Sequence, residues 1–264
     1  MRLTIRHLTE YRLEQPAHFV LQEVRLTPAA SPGQRVESWR VSLENGSVEA
    51  SFDDHHGNRT MLFSCDGGDG ILRLRAEGVV ETADRAGVAG SHRGFAPLWL
   101  FLRETSLTAI GDRVEALAAS LAPGDTLARL HALNEAVADA VHYDRDADPL
   151  MTAEAAIAAG RGVCQDQAHV FIAAARALNI PARYISAYLF TEGEASSKAS
   201  HAFAEAHVEG LGWVGFDPAN RQSPDERYVR IAAGLDYHEA APVRGLRIGA
   251  GGGEQLAVNV QVQQ

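Results

Sequence analysis

The chain has 264 residues, with 24 Lys and Arg against 34 Asp and Glu, a formal charge of −10. That length admits one large or two medium domains with a full apolar core, and only two cysteines, Cys65 and Cys164, exclude a disulfide-dense scaffold. The acidic balance argues against a general nucleic-acid or anionic-membrane binder, whose surface needs clustered Lys and Arg.

The opening MRLTIRHLTEYRLEQPA alternates polar and apolar residues and lacks the apolar run of a secretory signal. No stretch approaches the roughly 18 apolar residues of a membrane span. The expectation is a cytoplasmic protein with reduced thiols. The first eighty-odd residues read as β: VESWRVSLEN (36–45), SVEASFDD (47–54), NRTMLFSC (58–65) and GILRLRAEGVVET (70–82) alternate with a period near two. Pro32-Gly33, Asn45-Gly46, Gly57-Asn58 and Gly67-Gly68 mark turns, and Asn45-Gly46 between alternating runs predicts a hairpin. Residues 1–88 therefore read as an amino-terminal, sandwich-like β domain. The Gly-rich 87–97 reads as a linker.

Helices follow. Asp112–Leu121 is a short one, and Asp125 is placed to cap a stronger one with Leu127, Leu130, Leu133, Val137, Ala140 and Val141 on one face. Thr152 opens an Ala-rich helix that Gly160 closes. Residues 164–178 carry the stripe Ala168, Phe171, Ile172, Ala175 and Leu178, stopped by Asn179 and Pro181. Then come strands at 182–190, 201–210, 213–218 and 256–262. Helices followed by strands over 98–264 imply an α+β second domain that includes the carboxy-terminal strands. GAGGGEQ (249–255) lacks the Lys-Ser/Thr of a phosphate loop and reads as a hairpin tip.

Cys164, in GRGVCQDQAHV, opens the 164–178 helix, where unpaired N–H groups and the helix dipole favour negative sulfur. Alone it is more often a small buried hydrophobe. His201 opens a strand that turns at Gly210–Gly212 and returns to Asp217, which brings Asp217 close to His201 at one end of the hairpin. A carboxylate there fixes the imidazole tautomer and leaves the other nitrogen for the thiol proton. Cysteine, histidine and aspartate in that order, each at the end of an element, fit nucleophilic acyl transfer.

The runs GVCQDQAHVFIAAARALNIPARYISAYLF, SHAFAEAHVEGLGWVGFDPAN and GLDYHEAAPVRG resemble the bacterial transglutaminase-like proteins, many of them taken for cysteine proteases. LTIRHLTEYRLEQPA, LQEVRLTP and DDHHGNR resemble that family's amino-terminal β domain, so the likeness spans nearly the whole chain. It implies a papain-like core, a helix carrying the cysteine packed on an antiparallel sheet carrying histidine and aspartate, after an all-β domain. It implies Cys164 as nucleophile, His201 as base and then acid, and Asp217 as the orienting carboxylate. A thioester then forms on a peptide or protein amide and is resolved by water, as in a peptidase or amidase. The alternatives are resolution by an amine (transamidation) or a non-catalytic peptide-binding module on the same fold. Family neighbours suggest proteins of an ATP-grasp-like peptide-ligase system as partners. The chain departs from the family's usual residues at Gln167, Phe203 and Ala219.

The Cys164 backbone N–H is one oxyanion donor candidate. Tyr143, Trp213 and Gln165 are further candidates for oxyanion or substrate contacts, and Tyr237 is a cleft-wall candidate. No cofactor is expected, and no EF-hand loop is present. No metal is expected either: Asp53, Asp54, His55 and His56 read as a polar turn, because no other ligand has suitable spacing. His201 and His207 stand roughly 20 Å apart along an extended strand, too far to share an ion. His169 and Cys65 read as structural.

Overall fold

Period-two burial organises the amino-terminal third. In β1 (Arg2–Leu13), Leu3, Ile5, His7 and Thr9 are buried while Arg2 and Arg6 are exposed. β2 (Ala17–Thr27), β3 (Gln34–Leu43), β4 (Ser47–Asp53), β5 (Arg59–Cys65) and β6 (Ile71–Thr82) complete this region of the computed structural model, which describes residues 1–15, 17–66, 70–147, 150–192, 200–249 and 252–264. Gly67-Gly68 and part of the 249–255 tip lie outside the described residues.

The strands divide between two four-stranded antiparallel sheets. Each takes one strand from the far end of the chain: β14 (Val243–Gly249) joins β2, and β15 (Glu254–Gln263) joins β1. The orders are β15-β1-β6-β3 and β14-β2-β5-β4. The sequence reading groups these last strands with the second domain, but their pairing puts them on the amino-terminal sheets. Alternation reveals that β15 has a face to bury, with Val260 and Val262 buried opposite His7 and Ile5, but not which sheet edge receives it.

The Asn45-Gly46 turn forms, with Asn45 at φ 56° and Gly46 N–H donating to Leu43 O at 3.2 Å. It does not close the expected hairpin. β3 pairs with β6 and β4 with β5, so this turn is a corner between the two layers.

The second half holds a five-stranded sheet, order β13-β10-β11-β12-β7, built from β7 (Val88–Gly90), β10 (Ala182–Leu189), β11 (Ser200–Val208), β12 (Gly212–Phe216) and β13 (Tyr228–Gly234). β7 lies in the stretch read as a linker. It pairs with β12, and the approach is so close that a Cβ on Gly212 would lie 2.2 Å from Gly90 O. A three-residue strand of small residues carries too little pattern to be seen in sequence.

Around this sheet lie α1 (Asp112–Ala119), α2 (Thr126–Ala140), α3 (Ala153–Ala159), α4 (Cys164–Ala177) and α5 (Tyr237–Ala240), with a 3-10 turn at Leu98–Leu102. The caps match the sequence: Asp125 accepts from Ala128 N–H, Thr152 accepts from Ala155 N–H, and Gly160 ends α3 in the left-handed region. α4 is buried on nearly every side, its polar Asp166, Gln167 and Arg176 included, each of them hydrogen-bonded. It packs on β11, whose Ala202, Ala204 and Ala206 leave room for it. A parallel pairing of β8 (His142–Tyr143) with β9 (Arg161–Gly162) leads directly into α4.

β13 is an edge strand, and side-chain amides of the sandwich engage its backbone. Gln34 exchanges hydrogen bonds with Arg230 N–H (2.8 Å) and O (2.9 Å), and Asn58 does so with Ala233 N–H (2.8 Å) and O (2.7 Å). His7 adds a 2.8 Å bond to the Tyr188 hydroxyl. The Gln34 and Asn58 bonds satisfy β13 backbone groups that would otherwise invite another strand. Among the described residues, no helix is long and apolar enough to cross a membrane.

Candidate active site

β11 and β12 pair with Val208 opposite Gly212 and Ala204 opposite Phe216. That register faces Asp217 toward the odd-numbered side chains of β11, and its Oδ2 lies 2.6 Å from His201 Nε2. Asp217 is fully buried. The same Oδ2 accepts from the Tyr228 hydroxyl and from Asn220 Nδ2, each at 2.7 Å. The Asp217 backbone is pinned as well, exchanging bonds of 2.9 and 3.2 Å with Gln222 across a tight turn.

With Nε2 engaged by Asp217, Nδ1 of His201 is left free of that carboxylate, and the Cys164 charge acts on the ring. The sulfur also lies 3.1 Å from Gln165 Oε1. Burial works against a charged His201 ring, but the negative charges of Asp217 and Cys164, and hydrogen bonds to both, outweigh it and raise the ring to about 10. Burial alone would push the Asp217 carboxyl up; the His201 charge and the donors His201, Asn220 and Tyr228 carry it below its ordinary value.

Cys164 is the first residue of α4, where N–H groups lack intrahelical acceptors. Buried Asp166, three residues beyond the cap, fixes this end: Oδ2 accepts from Val163 N–H at 2.9 Å and Oδ1 from Met151 N–H at 2.8 Å. Gly162 is required beside it, since a Cβ there would come within 2.9 Å of the Asp166 carboxyl. Asp166→Ala strands these buried donors at about 1–3 kcal/mol each. It is expected to lower the melting temperature by about 2–4 °C per kcal/mol, read by thermal unfolding, whereas an unchanged melt would remove Asp166 from this role.

The other sequence candidates separate. Gln165 and Tyr143 are brought to the thiol. Tyr143 is half-exposed on β8, its hydroxyl pushed up by burial and then by the Cys164 charge. Trp213 is not brought there. It lies four residues down β12 from Asp217, packed 5.0 Å from Phe101, and its indole N–H donates to His92 Nδ1 at 3.1 Å. Tyr237 stands one ring behind the thiol, edge-on to Tyr184 at 6.1 Å, with its N–H donating to His169 Nε2 at 3.2 Å. His169 is a packing residue, stacked on Tyr184 at 5.1 Å. Sequence reasoning missed Asn220 and Tyr228. Asn220 sits two residues past the Asp-Pro step, a detectable turn signal; Tyr228 lies on a strand with no local signal linking it to Asp217.

The family model of the transglutaminase-like superfamily matches residues 115–218, and that of the bacterial transglutaminase-like N-terminal region matches residues 3–81. The chain thus carries a transglutaminase-like core region behind a bacterial transglutaminase-like N-terminal region. The first match spans Cys164, His201 and Asp217 together. An uncharacterised protein of Mycobacterium leprae is 28% identical over 95% of this chain and 94% of its own length. One of Mycobacterium tuberculosis is 27% identical over 93% and 87%. A solved structure of a presumptive cysteine protease from Cytophaga hutchinsonii matches with a TM-score of 0.77 at 21% identity, covering 100% of this chain and 90% of that one. At that identity the likeness speaks to the fold.

The departures from usual transglutaminase-like residues have structural accounts at two positions. Gln167 Nε2 donates to Val141 O at 2.6 Å and ties α4 to the end of α2. Phe203 packs edge-on against Tyr228 at 5.8 Å, behind the hydroxyl that holds Asp217.

Proposed function

We propose that this transglutaminase-like chain performs thiol-dependent acyl transfer on amide bonds of peptides or proteins, with hydrolysis as its main outcome. The observation that carries this reading is His201, held by buried Asp217 on Nε2 and standing in the electrostatic reach of Cys164. Cys164 attacks the carbonyl carbon, and the Cys164 backbone N–H at the open end of α4 supplies one donor to the oxyanion. Gln165 Oε1 lies 3.1 Å from the sulfur, so as a second donor Gln165 would turn its amide nitrogen inward; Tyr143 at the rim is the other candidate. Protonated His201 gives its proton to the departing amine. Water, activated by the now neutral ring, opens the thioester. An amine in that position would give transamidation instead.

The test is intact-mass trapping of the acyl-enzyme with a panel of peptide amides and glutamine-containing peptides, with and without a small primary amine. The expected result is a transient adduct that peptide mapping places on Cys164 and that water discharges. Discharge mainly onto the amine would reassign the outcome to transamidation. Turnover of an accepted substrate that survives Cys164→Ser unchanged would remove the thiol mechanism.

A further inference from the structure

Away from the thiol, the turn between β4 and β5 is built more rigidly than a surface loop requires. Asp54 Oδ1 accepts from the backbone N–H groups of His56 and Asn58, each at 2.9 Å. Asp54 Oδ2 accepts from Arg25 Nε at 3.0 Å and Asn58 Nδ2 at 2.9 Å. Asn58 is itself bonded to both backbone groups of Ala233 on β13. The turn is thus fixed to the strand that leads into α5, and α5 carries Glu239 toward it.

There His56 Nε2 lies 2.7 Å from Glu239 Oε2, and that carboxylate is oriented by Leu235 N–H at 2.9 Å. His56 is buried, and among the described residues only Glu239 engages its ring nitrogens. His55 is exposed, its ring 4.0 Å from that of His56. The three side chains each offer a ligand atom within 4.8 Å of the other two.

We propose that His55, His56 and Glu239 form a binding site for a zinc-class divalent cation. Two imidazoles and a carboxylate are a donor set that zinc takes, with water in the fourth position, and exposed His55 leaves that position open to solvent. Leu235 N–H supplies the outer support that orients a ligating carboxylate. The cation would join the sandwich turn to α5, whose Tyr237 N–H engages His169 on α4. Glu239 is far from the two histidines in sequence, which is why the histidine pair alone reads as a polar turn.

The test uses the untagged full chain in a Cys164→Ala background, because Cys164, His201 and Asp217 are themselves a donor set for zinc. Zinc chloride is titrated by calorimetry, and melting is followed with zinc and with EDTA. The expected result is one equivalent bound and a melting temperature about 5–10 °C higher at 100-fold excess over Kd. His55→Ala and Glu239→Gln should each weaken binding by at least about 100-fold. His55→Ala should melt as its parent does in EDTA, since its side chain is exposed. No zinc uptake, or parental affinity in either variant, overturns the proposal.

Discussion

Replacing His201 with alanine is expected to lower turnover of an amide substrate by about 10⁴–10⁶-fold, the scale on which removal of a triad base acts. The same variant should slow alkylation of Cys164 by iodoacetamide at pH 6 by about 10–100-fold. The imidazole, raised to about 10, keeps its proton through neutrality and loses it as pH climbs through that value. Below that pH the ring carries a positive charge in the neighbourhood of Cys164. An unpaired thiol with a pKa near 8.5 is only about 0.3% ionised at pH 6; the rate falls less than the thiolate fraction, because a more basic thiolate is the better nucleophile. Wild-type alkylation of Cys164 at pH 6 should therefore exceed that of the variant, and the gap should close as the ring loses its proton with rising pH. Cys65 is the internal reference, its thiol pushed up by burial and then by the Asp66 charge. Stability has a matching sign. Folding raises the His201 pKa above 6.5, so its contribution is complete below that pH and fades as pH rises through about 10. Asp217, held below its ordinary value, contributes at neutral pH and loses its contribution on acidification. Equal pH profiles for Cys164 in both proteins would dissolve the ion pair and with it the proposed mechanism.

The thiol end of this site is legible in the sequence because its determinants are local. Gly160, Val163, Cys164 and the apolar stripe behind them specify a helix start, and a turn centred at Gly210 carries Asp217 back to His201 by strand register alone. What escapes is whatever depends on contacts remote in sequence. Tyr228 reaches Asp217 from a strand whose place beside β10 is set by the whole sheet. β15 alternates as a strand should and β14 does not, and nothing in the residues of either says that they close the amino-terminal sandwich. The Asn45-Gly46 turn illustrates the converse: local chemistry specifies the bend, and the layers on either side decide whether it makes a hairpin or a corner. Trp213 belongs to the same class, since its indole N–H is a candidate donor until tertiary packing assigns it to His92.

Asp217 separates two roles that are often lost together. Asp217→Ala should lower kcat/KM by about 10⁴-fold, since it removes both the charge and the acceptor that fixes the His201 tautomer. Asp217→Asn should be far milder, a loss of about 10–100-fold. The reason lies in the donors that share Oδ2. The Tyr228 hydroxyl and Asn220 Nδ2 both point at that atom, so an asparagine here turns its carbonyl oxygen toward them, and the oxygen also faces His201 Nε2. The imidazole proton then stays on Nε2, and Nδ1 keeps its lone pair for the thiol. Only the charge is gone: burial then dominates, the imidazole pKa drops, and the low-pH alkylation of Cys164 falls with it. Adding Tyr228→Phe and Asn220→Ala to Asp217→Asn removes the donors that fix the amide. The amide can then present its nitrogen to His201, reverse the tautomer and bring the loss toward that of Asp217→Ala. Steady-state kinetics on the four proteins decide the matter, since equal losses for Asp217→Asn and Asp217→Ala would mean that the negative charge, and not the tautomer, is what Asp217 supplies.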